Sequence, residues 1–158
     1  MQKIRRILDG FSLDELQVNG ATKQAIRILA EYIHETRSSF PTAIRIASLL
    51  SDSCKEEIKP TEEFRATHPE NRPEVYSSPE VFLTFYLLML AQKADNLYHI
   101  NEEKERGVCH HLSVVNQNDK ETCSFCKEKP REIDISEASY ANVPPFHVGC
   151  RCGILITK

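Results

Sequence analysis

The last third of the chain carries an unusual concentration of cysteine and histidine. Cys123 and Cys126 are separated by two residues, and a second group, His147, Cys150 and Cys152, follows after a gap of 20 residues. These five side chains lie within 30 residues of a chain that has 6 cysteines and 6 histidines in total. Proteins build tetrahedral zinc sites from two short ligand pairs joined by a loop, because each pair approaches the ion from one turn. The spacing therefore predicts a Zn²⁺ site in this segment.

The predicted ligand set has one ambiguity. Cys123 and Cys126 can both point at one ion from a tight turn, and His147 and Cys150 repeat the same two-residue spacing. On a β-strand, Cys150 and Cys152 would face the same side, so either thiol can complete the tetrahedron. The spacing leaves that choice open, and all five residues are predicted metal ligands.

Other cysteines and histidines are weaker candidates. Cys109, His110 and His111 form a third cluster close to the predicted site, whereas Cys54 is expected to be a thiol packed partly inside the helical region. His68 is expected in an exposed loop, and His99 on a helix, where it packs or faces solvent.

Three other uses of the paired cysteines are less favoured than a metal site. A disulfide framework requires an oxidising compartment. A Cys-x2-Cys redox pair normally opens a helix in a βαβ unit, and no such pattern surrounds Cys123. A nucleophilic Cys150 or Cys123 with His147 as its base would need a third orienting group and a pocket, which the sequence does not display.

Composition excludes several classes of protein. The net charge is −3, with 20 basic and 23 acidic residues, so the chain lacks the strongly basic balance of a dedicated nucleic-acid binder. The longest apolar run, residues 81–91, is far shorter than the ~20 residues of a membrane span, and the N-terminus has no apolar run typical of a signal peptide. We therefore expect no membrane association, and a reducing cytoplasm in which clustered Cys and His favour a metal over a disulfide.

The first two thirds of the chain have the patterning of a helical domain. Residues 21–37 place apolar side chains at helical spacing, Pro41 opens a shorter helix, and a short helix interrupted near Gly10 is expected at the N-terminus. A long helix is predicted from Pro79, with Ser77 or Ser78 as its cap, to Gly107. The prolines between residues 59 and 78 predict a loop.

The remaining segment has a different character. Residues 108–115 and 153–157 are rich in β-branched and apolar residues without a helical period, which predicts short strands. About 50 residues bury too little apolar surface to be stable alone, and a metal would compensate. The predicted fold class is α+β: a mainly helical domain at 1–106 and a small zinc-stabilised, β-rich module at 107–158.

The motif residues also resemble a known family. The segment Asp119–Cys126, followed by Pro-Pro-Phe-His-Val-Gly-Cys-Arg-Cys at 144–152, is similar to the C-terminal signature of tailed-phage minor head proteins, the head-morphogenesis family. In that family the module belongs to a minor, portal-associated capsid component implicated in head assembly, and the motif is regarded as structural. The resemblance implies that the five predicted ligands take the motif positions and that portal or capsid components are the partners.

These observations favour a non-enzymatic assembly or protein-interaction protein of phage or prophage type, located in the host cytoplasm or in the virion. Whether it forms a homo-oligomer stays open. One alternative is a nucleic-acid-associated regulator, because basic residues such as Lys127 and Arg151 flank the predicted site, although acidic residues offset them. A less favoured alternative is a zinc-dependent hydrolase, which requires an open coordination position.

Overall fold

The computed structural model describes residues 2–50, 52–62, 73–107, 111–117, 120 and 122–157. Within these ranges helices precede a small antiparallel sheet. In chain order the elements are α1 (Gln2–Asp9), α2 (Gly20–Thr36), α3 (Phe40–Ala47), α4 (Asp52–Glu57), a 3₁₀ turn (Pro73–Tyr76), α5 (Pro79–Arg106), β1 (His111–Val115), α6 (Ser124–Glu128), β2 (Glu132–Asp134), a 3₁₀ turn (Ile135–Glu137) and β3 (Gly153–Thr157).

The long helix α5 forms where the cap residues predict it. The Ser78 hydroxyl accepts a hydrogen bond from the Val81 backbone N–H (3.2 Å), and Gly107 ends the helix in a left-handed conformation with φ 65°. Its first half is buried on most sides, and Leu83, Leu87 and Leu90 are fully buried. Because α1, α2, α3 and α4 all pack against it, α5 is the centre of the hydrophobic core.

Helix α2 is also confirmed, with one unexpected end. The Asn19 side chain accepts from the Thr22 backbone N–H (2.9 Å) and caps the N-terminus. At the C-terminus Arg37 adopts the left-handed conformation, with φ 48° and ψ 46°. Glycine or asparagine usually takes that position, since a Cβ is crowded there.

The N-terminal helix is interrupted near Gly10, as predicted. Helix α1 ends at Asp9, and Leu13 lies beyond it with a φ of 54°. Leu13 nevertheless reaches the core, where it is 1% exposed. Helix α4 is an element that the sequence pattern did not predict. Of the predicted proline-rich loop, residues 63–72 lie outside the described residues.

The sheet has the strand order β2-β1-β3, and both pairings are antiparallel. Leu112 lies opposite Ile133 on one side and Ile156 on the other, and Val114 lies opposite Ile154. These side chains share one face of the sheet because residues two apart point the same way. That face joins the core, whereas Val115 and Leu155 on the other face are exposed.

The segment between β2 and β3 is fastened to α5 by two side chains of that helix. The Lys93 ammonium donates to the Tyr140 carbonyl (2.7 Å), and the Asn96 amide donates to the Pro144 carbonyl (2.8 Å). Tyr140 and Tyr86 both donate from their hydroxyls to Glu15 Oε1. The segment that carries His147, Cys150 and Cys152 is thus held against the long helix.

The predicted α+β class is confirmed, with helices in the N-terminal part and a three-stranded sheet near the C-terminus. The predicted boundary at residues 106 and 107 coincides with the end of α5, but buried side chains from both parts join one hydrophobic cluster. The division into two domains stays a prediction. Of the helices in the described ranges, none combines the length and apolar character that a membrane span requires.

Candidate metal centre

The first pair of predicted ligands lies at the start of α6. Cys123 is the N-cap residue of this short helix, and its Sγ accepts from the Cys126 backbone N–H at 3.4 Å. A tight turn was predicted here, and the chain continues that turn into a helix. The first helical turn places both thiols on one side.

His147 lies between the two cysteine groups with its ring fixed. Its Nδ1 donates to the carbonyl of Val148 at 2.8 Å, which leaves the lone pair on Nε2. Nε2 lies 3.2 Å from the Cys123 Sγ and 3.0 Å from the Cys126 Sγ. A backbone carbonyl that orients the far nitrogen of the ring is the arrangement common to metal-binding histidines.

Cys150 reaches the cluster through a turn. Gly149 has a φ of 71°, a conformation that glycine adopts without steric cost, and the Cys150 N–H donates to the His147 carbonyl at 3.1 Å. The Sγ of Cys150 lies 3.6 Å from that of Cys126 and accepts from the Cys152 N–H at 3.4 Å. Strand β3 begins at Gly153, as the run 153–157 predicts, so Cys150 and Cys152 lie ahead of the strand on which they would have faced the same side.

The structure brings all five predicted ligands together. The ligand atoms of Cys123, Cys126 and His147 lie within 4.8 Å of one another, and so do those of Cys126, Cys150 and Cys152. In a zinc site with Zn–S of about 2.3 Å and Zn–N of about 2.0 Å, neighbouring ligand atoms are about 3.5–3.8 Å apart. The separations between 3.0 and 3.6 Å are close to these values. The cluster can hold a metal ion.

The interior of the cluster is small, and three of the five candidate ligands are buried. Cys126, His147 and Cys152 are 4%, 2% and 2% exposed, and the cavity between the ligands measures about 10 Å³. A volume of that size holds about one water-sized sphere. The arrangement therefore fits a single ion better than an ion with a substrate beside it.

The crowding of the thiols has an electrostatic consequence. The hydrogen bond from the Cys126 thiol lowers the pKa of Cys150 well below its usual value, and the same contact raises the pKa of Cys126. Neighbouring thiols cannot all ionise without a cation, because each thiolate repels the next. A bound divalent cation removes that repulsion, so the cluster is suited to bind one with deprotonated cysteines.

The weaker candidates lie elsewhere. Cys109, His110 and His68 are outside the described residues, and His111 opens β1 without joining either ligand group. Cys54 is half-buried on α4 and His99 is exposed on α5, as expected.

Two polar features were missed from the sequence, one at the metal centre and one outside it. Asn116, which follows β1, lines the small cavity at 9% exposure, and its amide has no hydrogen-bond partner among the described residues. Asp95 on α5 accepts from the Nε2 of His34 on α2 at 2.8 Å and lies 3.6 Å from the Nε2 of His99. The His99 and Asp95 pair has the i, i+4 spacing of a helix and could have been found, whereas the contact with His34 depends on how the helices pack.

None of the protein-family models, curated proteins or solved structures that we compared with the chain matches it. The resemblance to the head-morphogenesis family thus stays a prediction that rests on the motif residues.

Proposed function

We propose that this chain is a non-enzymatic assembly or protein-interaction protein of phage or prophage type, in which a structural Zn²⁺ ion stabilises the C-terminal segment. One observation carries the proposal: the ligand atoms of Cys123, Cys126 and His147 form one close group, those of Cys126, Cys150 and Cys152 form another, and the two groups share the buried Cys126.

The ligand chemistry supports zinc over other metals. Thiolates and imidazoles suit Zn²⁺, whereas Mg²⁺ and Ca²⁺ require oxygen ligands. A site with three cysteines and one histidine is a common structural zinc set.

A structural role is favoured over catalysis by the enclosure of the site. A catalytic zinc keeps one coordination position open for water or substrate. Here a fifth candidate ligand is within reach, and the cavity is only about 10 Å³. Both facts weigh against the alternative of a zinc-dependent hydrolase.

The phage or prophage role is supported by the motif residues. The positions that match the head-morphogenesis signature are the ones that meet in the cluster. We therefore propose portal or capsid components as partners. The gene neighbourhood provides a simple check: portal and terminase genes are expected beside this one, and their absence would contradict a role in head assembly.

Metal analysis tests the structural zinc site. Protein purified without chelator is expected to contain close to one zinc per chain, and its clustered thiols should resist modification until a chelator is added. The Cys126→Ala variant should lose the metal, while Cys54→Ala, a cysteine of neither ligand group, should keep it. Metal-free wild-type protein with freely reactive thiols would overturn the proposal.

A further inference from the structure

A second concave surface lies beside the metal centre. We call it the basic cleft: a cavity of about 1170 Å³ between α1, α2, α5 and the segment 145–151. Its floor is apolar and includes Phe85, Leu88 and Met89 of α5. Pockets for small molecules usually measure about 300–1,000 Å³, so the basic cleft has room for a short stretch of polypeptide.

The rim of the basic cleft is positively charged although the whole chain has a net charge of −3. Lys3, Arg37 and Arg151 line it, and all three are exposed, with Lys3 paired with Glu102 at 3.8 Å. Its acidic lining residue, Asp95, is already engaged by His34 at 2.8 Å. The cleft therefore presents positive charge around an apolar floor, and the Asp95 carboxylate is hydrogen-bonded to His34.

Arg37 is held at this rim by an unfavourable backbone conformation. It ends α2 at φ 48° and ψ 46°, where a glycine would be unstrained. Its guanidinium has no ion-pair partner among the described residues. Non-glycine residues in the left-handed conformation persist where the surrounding structure holds them, and they cluster at binding and active sites. Here the side chain supplies positive charge at the mouth of the cleft.

The opposite wall depends on the metal centre. Pro145, Gly149, Cys150 and Arg151 form that wall, and Cys150 is one of the candidate ligands. Arg151 lies between Cys150 and Cys152 in the sequence. An ion bound by these cysteines would therefore also fix the backbone position of Arg151. The metal centre and the basic cleft are thereby parts of one structure.

We propose that the basic cleft binds a segment of a partner protein that combines acidic and apolar side chains. The acidic groups meet Arg37 and Arg151 at the rim, and the apolar groups cover the floor on α5. This inference deepens the proposed interaction function and rests on it. A nucleic acid is the less favoured occupant, because the floor presents apolar side chains where a phosphate backbone would need further cations.

Selection from a random peptide library on the zinc-loaded, full-length protein tests the proposal. Enriched peptides should contain Asp or Glu together with Leu, Ile or Phe, and their binding should weaken as salt is raised. Arg37→Gly should reduce the affinity about tenfold or more, as expected for the loss of a charge-assisted contact. Arg45→Ala, which removes an exposed arginine from α3 outside the cleft, is the matched control and should bind like wild type.

Each result decides the proposal. Enrichment without acidic residues, no enrichment, or binding that Arg37→Gly leaves unchanged would overturn it. If the protein binds a single-stranded oligonucleotide tightly and the Arg37→Gly variant does not, the basic cleft is a nucleic-acid site. That result would overturn the proposal that a peptide segment binds there. Metal analysis separates the two proposals. If the protein contains stoichiometric zinc but selects no acidic peptides, only the proposed binding role of the basic cleft is contradicted. If the protein selects acidic peptides but is purified without metal, the structural zinc site is contradicted instead.

Discussion

Cys150 and Cys152 compete for one coordination position, and their backbone surroundings differ. The Sγ of Cys150 accepts from the N–H two residues later, as the Sγ of Cys123 accepts from the N–H of Cys126. Such donors stabilise a thiolate. Cys150 also lies 3.6 Å from the Cys126 sulfur, close to the separation expected in a tetrahedral site. These contacts favour Cys150 as the fourth ligand, with Cys152 as a buried thiol beside it.

Alanine variants of the two cysteines test this assignment. Cys150→Ala is expected to weaken zinc binding by more than about 100-fold, the upper range for loss of an outer-shell partner. Cys152→Ala should keep the affinity within about tenfold and lose only packing energy, on the order of 1 kcal/mol. Competition against a chromophoric chelator measures both. The reverse order of affinities would make Cys152 the ligand.

The two non-glycine residues with positive φ make a second pair of contrasting cases. Arg37 is exposed, so Arg37→Gly relieves the backbone strain without losing a packed side chain, and should stabilise the fold by about 1 kcal/mol. Leu13 is 1% exposed, so Leu13→Gly should destabilise it by about 2 kcal/mol or more, because the lost core contacts exceed the relief. Urea unfolding gives both values. A destabilised Arg37→Gly variant would show that Arg37 has a structural use at the end of α2.

At the scale of the elements, α5 carries a buried charge. Lys93 is 3% exposed, donates to the Tyr140 carbonyl, and has its ammonium 4.1 Å from the centroid of the Tyr140 ring. Burial lowers the pKa of Lys93 to about 8, while Glu15 and Cys150 act in the opposite direction and Lys129 adds to the lowering. The helix therefore holds an ammonium in the core at neutral pH, at a cost in stability.

The sign of the resulting pH dependence follows from that shift. Between pH about 8 and the ordinary value of 10.5, the unfolded chain binds more protons than the folded one, so the free energy of unfolding should rise with pH. The full shift corresponds to about 3 kcal/mol. Lys93→Met should remove this rise, and Lys104→Met, at the end of the same helix, should keep it. Urea titrations across the window measure the slope, and equal slopes in the two variants would contradict the assignment.

Regular elements were predictable where local chemistry specifies them. Helix α5 begins after the cap residue Ser78, with Pro79 in its first turn, and ends at Gly107. Strand β3 is the β-branched run at 153–157. The five candidate ligands were equally accessible, since spacing alone brought them into one hypothesis. What the sequence could not supply is the geometry: the turn at Gly149 that precedes Cys150, and the packing of α2 on α5 beside the basic cleft.

At the scale of the whole molecule, the two ends of the chain differ in how much regular structure they contain. The helices bury an apolar core around Leu83, Leu87 and Leu90, and the buried Cys126 and Cys152 belong to the same hydrophobic cluster. The segment from 138 to 152 has no helix or strand of its own and is held by contacts with Lys93 and Asn96 and by the ligand cluster. A segment with so little regular structure gains most from a metal.

Removal of the metal should therefore unfold one region and leave the other. With a chelator, amide hydrogens of residues 122–152 are expected to exchange faster by about 10-fold or more, while those in the interior of α2 and α5 stay protected. Hydrogen exchange read by mass spectrometry resolves the two regions, and Cys54→Ala should behave as wild type. Because residues 145–151 form a wall of the basic cleft, the same treatment should weaken peptide binding. Loss of protection throughout α5 would instead mean that the metal supports the whole fold, and unchanged exchange in residues 122–152 would mean that it supports none of it.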